Sequence, residues 1–228
     1  MVSLVVIVLA GCDRVSDPWS DTPRVEDSDY TWANPPNCAP DAPGVSLPAA
    51  QHDSLPPLSV PIHPNLGDLW ALVAEHVPGG WAGLHYSPAA DGTYLVLSFV
   101  DTTHLSESLD SLAVYYPMYV PGHSYAPGHD YSFQRQYVRI RMVRWGWEQL
   151  YDWYRYLQLA GLPGGIARTD MFENHLDYGV FSAADHTALL QRLSQLAVPC
   201  WLAAVYIGGW GVTKSAQPPP AAPGIAGP

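Results

Sequence analysis

The chain has 228 residues, of which 48% are hydrophobic and only 14% are charged, so it holds enough apolar material for a substantial core. Its 21 Asp and Glu residues outnumber its 10 Lys and Arg residues, which gives a formal net charge of −11. A nucleic-acid-binding protein is nearly excluded, because such proteins need a basic face to neutralise phosphates.

The first eleven residues are uncharged and form an apolar run that ends just before Cys12. The run is too short to span a bilayer, but it is typical of the hydrophobic region of a secretory signal peptide. The sequence Leu9-Ala10-Gly11-Cys12 resembles the lipobox of bacterial lipoproteins. That resemblance implies attachment of a diacylglyceryl group, with fatty acids such as palmitate, to the Cys12 sulfur, cleavage before Cys12, and a membrane-anchored location in the cell envelope, outside the cytoplasm.

Two other interpretations of this terminus stay open. No Lys or Arg precedes the apolar run, although secretory signals normally begin with positive charge, so the true start could lie upstream. A run of this length could also be a buried N-terminal strand, because periodicity alone does not separate the two.

Residues 12–61 are rich in Pro, Asp and Ser, and they carry eight acidic residues against two arginines. Because like charges repel and prolines stiffen the chain, we expect an extended tether between residues 1–11, the signal peptide, and a folded domain. That domain is predicted to span residues 62–212. The Pro-rich residues 213–228 are expected to form a disordered tail.

Cys38 and Cys200 form an even pair once Cys12 is set aside, and paired cysteines are favoured in oxidising compartments. A disulfide between them would join the tether to the last predicted strand, and closing so long a loop would stabilise the fold by about 4 to 5 kcal/mol. The alternative is that Cys200 is a buried small hydrophobic residue and Cys38 a free thiol.

The folded part shows regular alternation of apolar patterns and turn residues. In chain order, the predicted elements are a helix capped by Asn65, strands at 81–86 and 93–100, a helix from Leu105 that Pro117 breaks, a strand at 137–145, a helix at 147–160, strands at 166–172 and 176–181, a helix capped by Ser182, and a strand at 200–207.

The order strand-strand-helix-strand therefore occurs twice, with one helix between the two units. Residue identity between the units is slight, so this is a pattern of elements and not a demonstrated duplication. Helices with one apolar stripe, interspersed with strands, favour a two-layer α+β fold. We expect a mixed sheet of about six strands with the helices on one face.

Residues 138–145, the helix that follows, the hairpin around Asn174 and the helix before Pro199 resemble a known order of elements. It is that of the pro-domains of secreted bacterial serine proteases of the alpha-lytic and streptogrisin kind, and the resemblance covers residues 138–207. In that family the pro-domain assists folding of its protease and inhibits it. The resemblance implies at most a shared scaffold, or a chaperone or inhibitor acting on a separate protease.

Two Pro-Gly-His repeats place His123, His129 and Asp130 on one loop, and these side chains are donors that zinc or copper accept. Together they would support a metal-dependent hydrolase. A third or fourth ligand beyond this set is not evident, so an exposed turn loop is the alternative, and we predict neither a catalytic residue nor a cofactor.

Six aromatic residues lie between positions 145 and 156, and on one helix they cannot all face the same core. Trp153 and Tyr156 fall toward the edge of the apolar stripe, where they could form a protein-contact patch or a platform for sugar rings. Alternatively, they pack against the tether or the loop that follows residue 117. Arg139 and Arg141 form a basic stripe that could bind an acidic partner or pair with the chain's own carboxylates.

These observations favour a lipid-anchored envelope protein that binds another protein or a cell-wall component without catalysis. The metal-dependent hydrolase and the protease chaperone or inhibitor are the alternatives.

Overall fold

The computed structural model describes residues 30–34, 38–39, 42–58, 65–89, 92–120, 138–162, 165–171 and 173–208. Their helices and strands are β1 Tyr30–Trp32, α1 Ala49–His52, α2 Leu66–Ala74, β2 Trp81–Ala89, β3 Gly92–Phe99, α3 Leu105–Tyr119, β4 Val138–Met142, α4 Trp147–Leu159, β5 Gly165–Asp170, β6 His175–Val180, α5 Ala183–Gln195 and β7 Ala203–Ile207. The predicted α+β class is confirmed.

Within the described residues the strands form two sheets, whereas the sequence predicted a single sheet. The first sheet has the order β2-β3-β4 and the second has the order β1-β7-β6-β5. Whether two such units share a sheet depends on contacts between residues far apart in the chain. The pattern of elements alone therefore could not decide this point.

The predicted repetition of strand-strand-helix-strand is confirmed: the same order of elements and the same strand pairing occur twice. The first unit contains β2, β3, α3 and β4, the second contains β5, β6, α5 and β7, and α4 connects them. In each unit the first two strands are antiparallel and the third is parallel to the second. The parallel pairing begins at Leu95 opposite Val138 in one unit and at Leu176 opposite Ala203 in the other.

Part of the predicted tether belongs to the folded body, so the boundary at residue 61 is corrected. β1 pairs antiparallel with β7, Leu47 is buried, and α1 lies against α4. A segment without periodicity forms little regular structure, but its individual side chains can still pack, and no periodic pattern reveals such packing. Residues 1–29, with Cys12, and the tail 213–228 lie outside the described residues.

The connecting helix α4 is packed between two hydrophobic cores. Trp147 and Tyr151 belong to the core of the first sheet, whereas Leu150, Trp153 and Leu157 belong to the core of the second. All five side chains are buried. Because α4 contributes side chains to both cores, it needs more large apolar residues than a helix with one apolar stripe. This explains why the helix is so rich in aromatic residues.

Local capping signals act as predicted. The side-chain oxygens of Asn65 and Ser182 accept hydrogen bonds from the backbone N–H groups three residues later, at 2.9 and 3.1 Å. Pro117, however, does not end its helix, since α3 continues to Tyr119. The proline removes one backbone donor, but the N–H of Val120 still donates to the carbonyl oxygen of Tyr116 at 2.9 Å, so the helical hydrogen bonding continues past it.

The double burial of α4 can be tested with two leucines of the same helix. Leu157 is fully buried in the second core, whereas Leu159 is 59% exposed. We expect Leu157→Ala to lower the free energy of unfolding by about 2 to 5 kcal/mol, because it leaves a cavity. Leu159→Ala should stay within about 0.5 kcal/mol of the parent protein. Urea unfolding measures both, and equal effects would contradict this packing.

Candidate functional site

Cys38 and Cys200 lie together as predicted, with their sulfur atoms at disulfide-bonding distance and their Cα atoms 5.5 Å apart. Two hydrogen bonds of the next residue, Trp201, reinforce the link. Its backbone N–H donates to Asn34 Oδ1 and its indole N–H to the carbonyl oxygen of Ala39, both at 2.8 Å. These contacts fasten the N-terminal segment, and with it β1, to the edge of the second sheet.

Trp201 also explains why β7 begins at Ala203 and not at Cys200, where the strand was predicted to start. Its φ of 63° lies in the left-handed region, which interrupts an extended strand. A bulky residue adopts this conformation only where its surroundings hold it. Here Arg144 lies over the indole ring, 5.5 Å from its centroid, and Trp32 meets it edge to face.

The outer face of the second sheet carries an ion cluster, formed by Arg168, Asp170, His175 and Asp177, in which the Arg168 side chain reaches solvent and is 44% exposed. His175 and Asp177 lie two residues apart on β6, so they share one face, and they are only 3% and 1% exposed. His175 Nε2 lies 2.7 Å from Asp177 Oδ1. Arg168, opposite Asp177 on β5, donates to Asp177 Oδ2 from Nε at 2.9 Å and from Nη2 at 2.7 Å, and to Asp170 at 3.2 Å.

The hydrogen bonds of His175 determine its charge. Nε2 faces the carboxylate of Asp177, and Nδ1 faces the carbonyl oxygen of Glu173 at 3.1 Å. An ionised carboxylate and a carbonyl can only accept, so both ring nitrogens donate and the ring is an imidazolium. Burial favours the neutral ring, but the hydrogen bond and the charge of Asp177 outweigh it and raise the pKa of His175.

The pKa of Asp177 moves in the opposite direction. Burial favours its protonated form, but the hydrogen bonds and charges of His175 and Arg168 outweigh burial and lower the pKa. The two shifts agree with each other, since each partner stabilises the charged form of the other.

The ion cluster is therefore a structural device. With both ring nitrogens donating, His175 has no lone pair to accept a proton or bind a metal while this network is intact. Hydrogen bonds also fix the turn between β5 and β6. Asn174, at a φ of 57°, accepts from the backbone N–H of Trp145 at 2.7 Å and donates to the carbonyl oxygen of Trp145 at 2.8 Å. The hairpin is thereby held against the beginning of α4.

Trp153 is not part of an exposed platform, and this prediction is corrected. Its side chain is 3% exposed, and its indole N–H donates to the carbonyl oxygen of Val45 at 2.8 Å. Val45 belongs to residues 12–61, so the alternative of packing against that segment is the correct one for Trp153. Tyr156 is half-buried and meets Trp153 edge to face, with ring centroids 6.0 Å apart.

Arg139 and Arg141 lie on β4, opposite Val96 and Ser98 of β3. They are half-buried and belong to the first sheet, whereas Trp153 is buried in the core of the second. Val96 of β3 lies between two partners: Arg139 on β4 and His85 on β2. Burial and the charge of Arg141 lower the pKa of His85 to about 4, so this histidine is neutral at physiological pH.

The remaining predicted residues, Cys12, His123, His129 and Asp130, lie outside the described residues. Within the part of the chain that is described, no group of three or more His, Cys, Asp or Glu side chains could hold a metal ion. The same part contains no helix with the length and apolar character needed to cross a membrane.

An accessible group of rings, which we call the aromatic layer, lies where α3 packs beside the end of α2. It consists of His76, Tyr115 and Tyr119, whose planes are inclined to one another by only 8° to 20°. His76 is exposed and the two tyrosines are half-buried. His76 Nε2 and Tyr119 Oη lie 3.0 Å apart, within hydrogen-bonding distance. The spacing of the tyrosines by four residues places them on one face of a helix and could be read from the sequence, but the contribution of His76, from the turn after α2, could not.

Comparison with known proteins finds no family model, no curated protein and no solved structure that matches this chain. The resemblances to bacterial lipoproteins and to protease pro-domains therefore stay predictions. Function has to be inferred from the chain's own residues.

The ion cluster predicts a specific dependence of stability on pH. Histidine in an unfolded chain titrates at about 6.5, so the contribution from the raised pKa of His175 is fully present below that pH and is lost as pH rises through the higher folded pKa. We expect His175→Gln to remove this alkaline loss of unfolding free energy, measured by urea unfolding across a pH series. His104→Gln is the control, because His104 is exposed.

A second variant reverses the sign of this effect. Asp177→Asn leaves a buried imidazole without its counter-charge, so burial should lower the pKa of His175 and stability should instead fall at acid pH. An alkaline loss of stability that is the same in His175→Gln as in the parent protein would contradict the imidazolium assignment.

The Cys38–Cys200 link yields a third test of stability. We expect the double variant Cys38→Ser/Cys200→Ser to lower the unfolding free energy by about 2 to 5 kcal/mol, because the link restrains the unfolded chain and fastens β1. Peptide mapping without reductant should recover both cysteines in one linked peptide. Free thiols at both positions would contradict the link.

Proposed function

We propose that this chain is an exported, lipid-anchored protein of the bacterial cell envelope and that its α+β body serves as a binding module. The observation that supports export most directly is the Cys38–Cys200 pair at disulfide-bonding distance. Stable disulfides form outside the reducing cytosol, in the periplasm or at the cell surface.

The anchor is proposed on the residues that precede the body. Cys12 follows an uncharged apolar run and the small residues Ala10 and Gly11, as in the lipobox. More than one acyl chain is needed for stable anchoring, since each buried methylene adds about 0.8 kcal/mol. Residues 13–29 could span at most about 60 Å when fully extended, so the body would work close to the membrane surface.

A binding role is favoured by the division between buried and accessible groups. The ion cluster uses its charges internally, as its hydrogen bonds show. In the aromatic layer, in contrast, His76 is exposed, the two tyrosines are half-buried, and polar atoms lie at the edges of the rings. Tyrosine provides rigid contact area with a hydrogen-bonding group at little entropic cost, which suits a binding surface.

Metabolic labelling with an alkyne analogue of palmitate, followed by mass analysis of the N-terminal peptide, tests the anchor. We expect the parent chain to be labelled and to begin at Cys12, and the Cys12→Ala variant to lose the label and remain uncleaved. The Cys38→Ala/Cys200→Ala variant is the matched control and should keep the label. An unlabelled parent chain with a free thiol at Cys12 would refute the lipid-anchored role.

A further inference from the structure

We propose that one end of the second sheet, where Phe181 and Ile207 are exposed, lies on the surface of the lipid bilayer to which the chain is anchored. The inference deepens the proposed function and rests on it, since it assumes the lipid at Cys12 and names the part of the body that meets the membrane. Two observations carry it: the exposure of these two apolar side chains and the point at which the N-terminal segment joins the sheet.

Phe181 and Ile207 mark what we call the apolar end of the second sheet. Ile207, the last residue of β7, lies opposite Val180, the last residue of β6, and Phe181 follows Val180 directly. Phe181 is 67% exposed, more than any other large apolar side chain in the described residues, and Ile207 is 52% exposed. Side chains alternate between the two faces along a strand, so this pair marks the end of the sheet and not one of its faces. A planar surface such as a bilayer can contact both.

The N-terminal segment joins the sheet at this same end. β1 is antiparallel to β7, and its first residue, Tyr30, lies opposite Tyr206, the residue next to Ile207. The chain that leads from Cys12 therefore enters the sheet beside the apolar end. Because the entropic cost of closing a flexible loop grows with its length, a tethered body most easily brings to its membrane the surface next to the attachment point.

The apolar end is ordered before it meets a membrane. Val180 is fully buried in the core of the second sheet, and just after β7 the backbone N–H of Gly208 donates to the carbonyl oxygen of Val180 at 2.8 Å. Directly after Phe181, the Ser182 hydroxyl accepts from the backbone N–H of Asp185 and so caps α5. A surface that is already ordered loses little conformational entropy when it makes contact.

Charge favours a zwitterionic bilayer over a second copy of the chain. Each copy carries a formal charge of −11, so two copies repel each other unless a large apolar area is buried between them, and two side chains do not provide that area. Residues 13–29 contain six acidic residues and two arginines, so anionic headgroups do not attract this region either. The contact must therefore come from burial of apolar surface, and it depends on the tether to keep the body close.

Fluorescence quenching by brominated phosphatidylcholine in vesicles tests the inference. The mature chain, residues 12–228, is coupled to a maleimide-bearing lipid through Cys12, the one cysteine outside the disulfide. Phe181→Trp adds a tryptophan at the apolar end, and Met118→Trp, at a position on α3 that is 62% exposed, is the matched control. We expect the emission that Phe181→Trp adds to the parent spectrum to be quenched severalfold more than the emission that Met118→Trp adds.

A further substitution tests whether the two side chains act together. Ile207→Ser, added to the Phe181→Trp chain, should shift the contact equilibrium toward the free body by about tenfold, because it removes one of two apolar contacts. Val114→Ser, at a position on α3 that is 60% exposed, should leave the quenching unchanged. Thermal unfolding verifies that every variant is folded.

Equal quenching at positions 181 and 118, or quenching that Ile207→Ser leaves unchanged, would overturn the inference. So would dimers of the soluble chain that Phe181→Ser dissociates, since a second copy would then cover the apolar end. The coupling at Cys12 is chemical, so the quenching does not depend on acylation in the cell. Palmitate labelling reports on the anchor separately, so failure of the anchor and failure of the membrane contact are distinguishable.

Discussion

The fold depends on the burial of one helix, α4, in two hydrophobic cores at once. Each strand-strand-helix-strand unit has a sheet with an apolar face, and a small unit buries too little surface to be stable alone. Trp147 and Tyr151 complete the core of the first unit, while Leu150, Trp153 and Leu157 complete that of the second. Because both cores need the same helix, the two units are coupled, although their strands form separate sheets.

The two units share a topology but present different outer faces. Pairing registers place His85 opposite Val96 in the first unit and Arg168 opposite Asp177 at the corresponding place in the second. The first pair leaves a histidine that is neutral at physiological pH, whereas the second joins a buried carboxylate to an exposed guanidinium in the ion cluster. Corresponding backbone positions therefore carry unrelated chemistry, and the ion cluster stiffens only the second unit.

The N-terminal segment serves two purposes in this arrangement. Its strand β1 extends the second sheet, and the Cys38–Cys200 link fastens it there. In the proposed function, the residues before β1 lead to the lipid. A force transmitted from the anchor would therefore act on the disulfide and on the pairing of β1 with β7. The aromatic layer lies on α3 and on the turn that follows α2, beside the core of the first sheet.

The sequence by itself determined the elements from α2 to β7 and their order, because caps, turns and apolar periodicity act over a few neighbouring residues, but it did not reveal β1 and α1. Asn65 and Ser182 capped their helices for that reason, and the even number of remaining cysteines was enough to indicate the pair. Only the tertiary structure decided that the strands divide into two sheets, that Trp153 is buried, and that His76 joins two tyrosines of another helix. Each of these depends on contacts between residues distant in the chain, and no local pattern encodes such contacts.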